Sequence, residues 1–103
     1  MKKIIYIAGA ITGTDDADMR FATAESNLKA DAHVKGIPTE VINPYEVNHT
    51  LGFLPHDVIM KICFSLIDHA DELYFLKGWE ESRGANQEYG YAFASGKKII
   101  FQK

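Results

Sequence analysis

The chain is short of cysteine and of positive charge, and each shortage excludes a class of protein. Its one cysteine, Cys63, cannot form an internal disulfide, which predicts a reducing compartment and a cytoplasmic location. The net charge of −3 provides no basic surface, so we expect no nucleic acid as partner. A free nucleotide is compatible with this charge, because backbone amides can hold a phosphate without lysines.

Long apolar runs are also missing from the sequence, so we expect no membrane partner. The amino terminus imitates a secretory signal, with Lys2 and Lys3 before an apolar run. Gly9 interrupts that run after Ala8, and the run is then shorter than the apolar core that a signal needs.

Apolar periodicity divides the 103 residues into the strands and helices of a single domain, 1–103. Short apolar runs predict four strands, at 4–8, 38–42, 72–76 and 98–101. Helical spacing predicts three helices, at about 15–35, 55–69 and 82–96. Gly36 ends the first helix and Ser82 caps the third, whereas residues 45–54 are predicted to form a loop.

The alternation of strands and helices predicts an α/β fold of the doubly wound, flavodoxin-like or Rossmann-like type. Short connections favour a parallel four-stranded sheet in the order 2-1-3-4, with helices on both faces. In that order the first and third strands are adjacent, and open α/β sheets bind ligands at the carboxyl ends of strands at such a switch point. The loops 9–13 and 77–84 would therefore meet at one crevice.

The first of these loops, GAITG, has the composition of an anion site. Gly9 and Gly13 allow close backbone approach near a helix start, and Ala10 and Ile11 lie between them. The same residues are equally typical of an ordinary strand-to-helix turn without a ligand.

The second loop offers polar and aromatic groups. Trp79 could stack on a base or cover the edge of the sheet. Ser82 and Arg83 could hold a hydroxyl or a phosphate, or serve only as a helix cap and a solvated charge.

Residues in metal-ligand spacing are absent from the sequence. The four histidines form no HExxH pattern and Cys63 has no second cysteine, so we predict neither a metal nor another cofactor. The apolar stretch around Cys63 favours a core thiol over a nucleophile. A nucleophilic pair of Cys63 and His69 is formally available, but on a core-facing helix away from the two loops.

Glu88 is a carboxylate at the border of a small, apolar helix face. Ala85, Tyr89 and Ala92 fall at helical spacing, so the Glu88 side chain is directed toward the flank of the buried stripe. An oriented carboxylate beside a cleft suits covalent or general acid/base chemistry. The alternative is a glutamate that simply favours the amino-terminal half of the helix dipole.

Three segments, YIAGAITG, ADELYFL and GWEESRGANQEYGYAFASGKKII, together resemble the nucleoside 2-deoxyribosyltransferase-like superfamily. They are most similar to an uncharacterised small bacterial and phage family within it. The resemblance implies that Glu88, in the run from Gly84 to Ala92, is a nucleophile that attacks the anomeric carbon and that Tyr6 orients it. Gly84, at the start of this run, is predicted to be among the substrate-binding residues. GAITG resembles the loop of the 5′-monophosphate deoxynucleoside hydrolases. Ser82 resembles the serine that these hydrolases place near the phosphate.

The chain departs from the superfamily in two places. The superfamily supplies an acid from the second helix to protonate the departing base, whereas residues 62–65 here read Ile-Cys-Phe-Ser. The role would then pass to Glu80, Glu81 or Asp57. The chain also ends after the fourth strand, where the transferases continue, and pairing of exposed edges favours a homodimer or larger homo-oligomer.

The sequence thus predicts a domain that binds a 2′-deoxynucleoside or its 5′-monophosphate and cleaves or transfers at the N-glycosidic bond. The alternative is a nucleotide-sensing module that keeps the pocket without catalysis, which the missing acid favours. A non-binding interaction domain would leave the glycines and the border glutamate without a role.

Overall fold

The computed structural model describes residues 2–103, which form four strands and four α-helices. In chain order these are β1 (Lys3–Ala8), α1 (Ala17–Lys35), β2 (Thr39–Ile42), α2 (Tyr45–Thr50), α3 (His56–Asp68), β3 (Glu72–Phe75), α4 (Arg83–Ala94) and β4 (Lys98–Phe101). A single turn of 3₁₀ helix, Trp79–Glu81, precedes α4.

The strands form one parallel sheet in the order β2-β1-β3-β4, which confirms the predicted fold class and strand order. Each predicted strand lies within a residue of its observed bounds. Gly36 ends α1 in the left-handed conformation, with φ of 68°, as the sequence predicts.

Side chains alternate across β1 and so divide the core into two layers. Tyr6 and Ala8 face α3 and α4, where they pack with residues such as Cys63 and Ala92. Ile7 faces the opposite side and packs with Phe21 of α1. Helices therefore cover both faces of the sheet, and β1 is buried on both sides.

The prediction of a loop over residues 45–54 is wrong, because Tyr45–Thr50 is helical. The helix is held at its start by the Asn43 side chain, whose Oδ1 accepts a hydrogen bond from the Tyr45 N–H at 3.0 Å. Tyr45 also packs against Phe21, with ring centroids 6.4 Å apart. A six-residue helix lacks the repeated apolar positions on which a sequence prediction depends.

The carboxyl ends of β1 and β3 are joined at the centre of the sheet. Ala8 pairs with Phe75, and the Leu76 N–H donates to the Ala8 carbonyl at 2.8 Å. A Cβ atom on Gly9 would lie 3.1 Å from the Leu76 Cβ. The two backbone segments can approach this closely because Gly9 has no side chain. The two loops that follow these strands begin side by side at this point.

Within residues 2–103, no helix is long and apolar enough to cross a membrane.

Replacement of Gly9 by Ala is expected to lower the free energy of unfolding by about 1–3 kcal/mol, because the added methyl overpacks against the fully buried Leu76. The matched control is Gly90→Ala in α4, where an added Cβ meets no atom within 4 Å. That change should raise stability by about 0.5–1 kcal/mol through helix propensity. Denaturant titration of both variants measures the difference, and equal effects would contradict the close contact.

Candidate functional site

A cavity of about 530 Å³ opens above the carboxyl ends of β1 and β3, between the starts of α3 and α4. It lies at the switch point of the sheet, where the strand order predicts a crevice. Five of the residues predicted for the site from the sequence line it: Gly9, Ile11, Ser82, Gly84 and Glu88.

Glu88 lines this cavity and forms a buried hydrogen-bonded pair with Tyr6, which lies in the core behind it and is not itself a lining residue. The Tyr6 hydroxyl donates to Glu88 Oε2 at 2.5 Å. Tyr6 is fully buried and Glu88 is 6% exposed. The sequence predicts Glu88 at the flank of the buried stripe of its helix, whereas the structure places it within that stripe, buried between Ala85 and Ala92 on α4.

Burial governs the protonation of both groups. Desolvation raises the pKa of Glu88 to about 7, and the hydrogen bond from Tyr6 opposes this shift only in part. Desolvation, followed by the charge of Glu88, raises the pKa of Tyr6 well above its usual value. The Tyr6 hydroxyl therefore keeps its proton and donates it in a hydrogen bond to Glu88, whether Glu88 is ionised or protonated.

The amino terminus of α4 forms another part of the wall. Ser82 caps this helix, as predicted, because its Oγ accepts a hydrogen bond from the Ala85 N–H at 3.1 Å. Arg83 begins the helix and lines the cavity as an exposed residue. Ser82 and Arg83 thus stand together at the positive end of the helix dipole, facing the cavity.

The loop after β1 contributes only part of its length to the cavity. Gly9 and Ile11 line it, and so does Thr12, but Ala10 and Gly13 are not among the lining residues. The Ala10 carbonyl is instead held by the Arg20 guanidinium, at 2.7 Å. Gly13 adopts a left-handed turn with φ of 81° on the exposed outer side of the loop.

Trp79 does not line the cavity, which corrects its predicted place among the substrate-binding residues. Its ring packs in an aromatic cluster with Phe75, Tyr89 and Phe101, with centroids between 5.1 and 5.8 Å from its own. The 3₁₀ turn directs Trp79 toward β4, so the residue covers the edge of the sheet, the alternative that the sequence left open.

Cys63 lines the cavity, contrary to the expectation that it lies away from the crevice. The buried residues of α3 are Ile59, Met60, Cys63 and Ile67, and all of these except Ile67 line the cavity. Burial raises the pKa of its thiol, and Asn48 Nδ2 approaches the Sγ at 3.9 Å. His69 stands at the opposite end of α3, about 9 Å along the helix axis, which argues against a nucleophilic pair.

The sequence over residues 3–101 matches a family model described as Domain of unknown function (DUF4406). The chain belongs to this family. The matched DUF4406 region contains both loops, Tyr6 and Glu88. Comparisons with curated proteins and with solved structures gave no match. DUF4406 membership carries no ligand or reaction with it, so the chemistry of the site rests on the geometry of its residues.

Several cavity residues of this DUF4406 domain were not predicted from the sequence as site residues. They include Phe21 of α1, Pro44, Asn48 of α2, and His56 and Met60 of α3. Asn48 was missed because its helix was missed. His56 has a signal in the sequence, since it follows Pro55 at the start of a helix whose amino terminus lies near the cavity. Among residues 2–103, no group of three or more His, Cys, Asp or Glu side chains is arranged to hold a metal ion.

The raised pKa of Glu88 makes stability depend on pH. Between pH 4.5 and about 7 the folded protein retains a proton that the unfolded chain has released, so stability falls as the pH rises through this window. Glu88→Gln removes this effect. The free energy of unfolding of the variant, relative to that of the wild type, should therefore increase by about 1–3 kcal/mol as the pH rises from 4.5 to 8.

Chemical unfolding of both proteins at several pH values in this range measures the gain. The matched control is Glu80→Gln on the 3₁₀ turn, where the same substitution is made at an exposed position and removes no buried carboxylate. A constant difference between wild type and Glu88→Gln across the range would contradict a raised pKa.

Proposed function

We propose that this protein binds a 2′-deoxynucleoside or its 5′-monophosphate and cleaves or transfers at the N-glycosidic bond, with Glu88 as nucleophile. The observation that carries the proposal is the buried Glu88 carboxylate in a cavity wall, oriented by the Tyr6 hydroxyl at 2.5 Å. The resemblance of the surrounding run to the deoxyribosyltransferase-like superfamily supports the same roles for these two residues.

The geometry of the pair suits a nucleophile. Tyr6 donates to Glu88 Oε2 and so leaves Oε1 as the oxygen that can attack C1′. Attack through an oxocarbenium-like transition state forms a glycosyl ester, and water or a second base then releases the sugar. A pKa of about 7 leaves a substantial fraction of Glu88 ionised at neutral pH, and burial removes the water that would shield its charge.

The cavity suits a ligand of this size and polarity. Its volume of about 530 Å³ lies in the range of small-molecule sites, and apolar residues such as Ile11, Ile59 and Met60 line it together with a few polar groups. Ser82 and Arg83 at the start of α4 are suited to a 5′-phosphate, because a helix amino terminus and a guanidinium both favour negative charge.

One observation favours a second function, a nucleotide-binding module without catalysis. The segment of α3 beside Glu88 presents the Cys63 thiol to the cavity and no carboxylate. A neutral thiol with a raised pKa is a weak acid for protonation of a departing base. This alternative keeps the cavity and the ligand class but predicts binding without base release.

The test is base release from a panel of 2′-deoxynucleosides and their 5′-monophosphates. Glu88→Gln keeps the size and the hydrogen bond from Tyr6 but removes the nucleophile, so base release should stop while ligand binding largely persists. Tyr6→Phe should cost less, about 10- to 100-fold, because it only loosens the orientation of the carboxylate. Binding by the wild type with no base release above the uncatalysed rate would instead support the binding module.

We also propose that the protein is cytoplasmic and forms a homo-oligomer. The support for the location is the single cysteine, Cys63, because chains without disulfides are typical of reducing compartments. Phe93, 70% exposed, and Phe101, 47% exposed, flank Tyr89 beside the edge strand β4 and form an apolar surface suited to self-association.

Light scattering should therefore report a mass of at least two chains for the wild type. Phe93→Ser should lower that mass, because it removes apolar area from this surface. Val34→Ser, at an 85% exposed position on α1 across the sheet, is the matched control and should not change the mass. A wild type that stays monomeric at high concentration would exclude self-association.

A further inference from the structure

We propose, on the basis of the function proposed above, that His56 is the catalytic residue that protonates the departing base. His56 is the first residue of α3 and lines the cavity across from the start of α4. Imidazole is the side chain that most often serves as general acid near neutral pH. The acid would thus come from the same helix as the missing carboxylate, about two turns earlier than Cys63.

The position of the imidazole relative to Glu88 follows from its contacts with α4. A Cβ atom on Gly84 would lie 3.8 Å from His56 Cε1, so the ring packs over Gly84. Gly84 precedes Glu88 by one helical turn, and a helical side chain points back toward the turn before it. His56 and Glu88 thus both line the cavity, His56 packed on Gly84 and Glu88 one helical turn further along α4.

Gln87 fixes which ring nitrogen exchanges the proton. Gln87 Oε1 lies 2.7 Å from His56 Nε2, and an amide oxygen can only accept a hydrogen bond. Nε2 therefore carries a hydrogen, and Nδ1 is the atom that gains and loses the catalytic proton.

His56 gives up a proton in the first step of the reaction and regains one in the second. Glu88 Oε1 bonds to C1′ as the C1′–N bond breaks, and the electron pair of that bond passes to the base nitrogen. The base takes a proton from His56 Nδ1, which leaves a neutral imidazole. Water then attacks C1′, its proton returns to His56 Nδ1, and the Glu88 carboxylate is released.

The other cavity side chains with exchangeable protons suit this role less well. Burial raises the pKa of Cys63, and the thiol stands beside Tyr6 at the nucleophile's end of the cavity. The Arg83 guanidinium does not release a proton in proteins. Glu81 lines the cavity from the 3₁₀ turn and is exposed, as His56 is, but among residues 2–103 no hydrogen bond or ion pair holds its carboxylate, whereas Gln87 holds the imidazole.

The experiment compares two leaving groups in one site. The first substrate is the deoxynucleoside that the wild type cleaves fastest, and the second is 4-nitrophenyl 2-deoxyriboside, whose nitrophenolate departs without protonation. His56→Gln should lower release of the natural base by 10²- to 10⁴-fold but release of nitrophenolate by less than about 10-fold. Turnover of the nitrophenyl compound also shows that the variant keeps its fold and its nucleophile.

His69→Gln, at the exposed opposite end of α3 and away from the cavity, is the matched control and should leave both rates unchanged. Equal losses for both substrates in His56→Gln would mean that the residue only shapes the site, and unchanged rates would mean that it has no role. The same split of rates in Glu81→Gln would assign the acid to Glu81. Each of these results contradicts the acid role of His56 but leaves the proposed function intact. A wild type that releases neither leaving group contradicts both the acid role and the proposed function.

Discussion

The hydrogen bond between Tyr6 and Glu88 connects the core of this protein to its cavity. A buried carboxylate is unfavourable unless a donor satisfies it, and here the donor is a tyrosine at the centre of the most buried strand. That strand can supply the donor only because β1 lies between β2 and β3 and under both α3 and α4. The sheet order, the small residues of α4 and the position of Glu88 are therefore parts of one arrangement.

The same pair explains why a domain this small can hold a charged group inside it. The Tyr6 hydroxyl offsets part of the desolvation of Glu88, and the remaining cost appears as its raised pKa. Residues at functional sites often reduce stability in this way, because a group that is prepared for chemistry is not in its most favourable environment. The rest of the core, with residues such as Phe21, Leu73 and Phe75 fully buried, supplies the compensating stability.

Most of the fold follows from the sequence, and less of the site does. Strand runs such as 4–8, the stop at Gly36 and the cap at Ser82 depend on local patterns, so the sequence predicts them correctly. The switch point then identifies Gly9, Ile11, Ser82, Gly84 and Glu88 as cavity residues. Trp79 and Cys63 were misplaced because their directions depend on a 3₁₀ turn and on how far α3 extends along the sheet. Neither feature is encoded in residue spacing, and the short helix carrying Asn48 lacks an apolar period altogether.

The half-ionised state of Glu88 near neutral pH also couples proton exchange to whatever occupies the cavity. A neutral ligand that displaces water from the carboxylate would make its charged form less favourable, and the protein would then take up a proton from the buffer as it binds. A ligand that places a donor or a positive charge there would release one instead. The heat of binding would consequently vary with the ionisation enthalpy of the buffer. The sign of this dependence would show whether a proton is taken up or released, and hence the polarity of the ligand atom nearest Glu88.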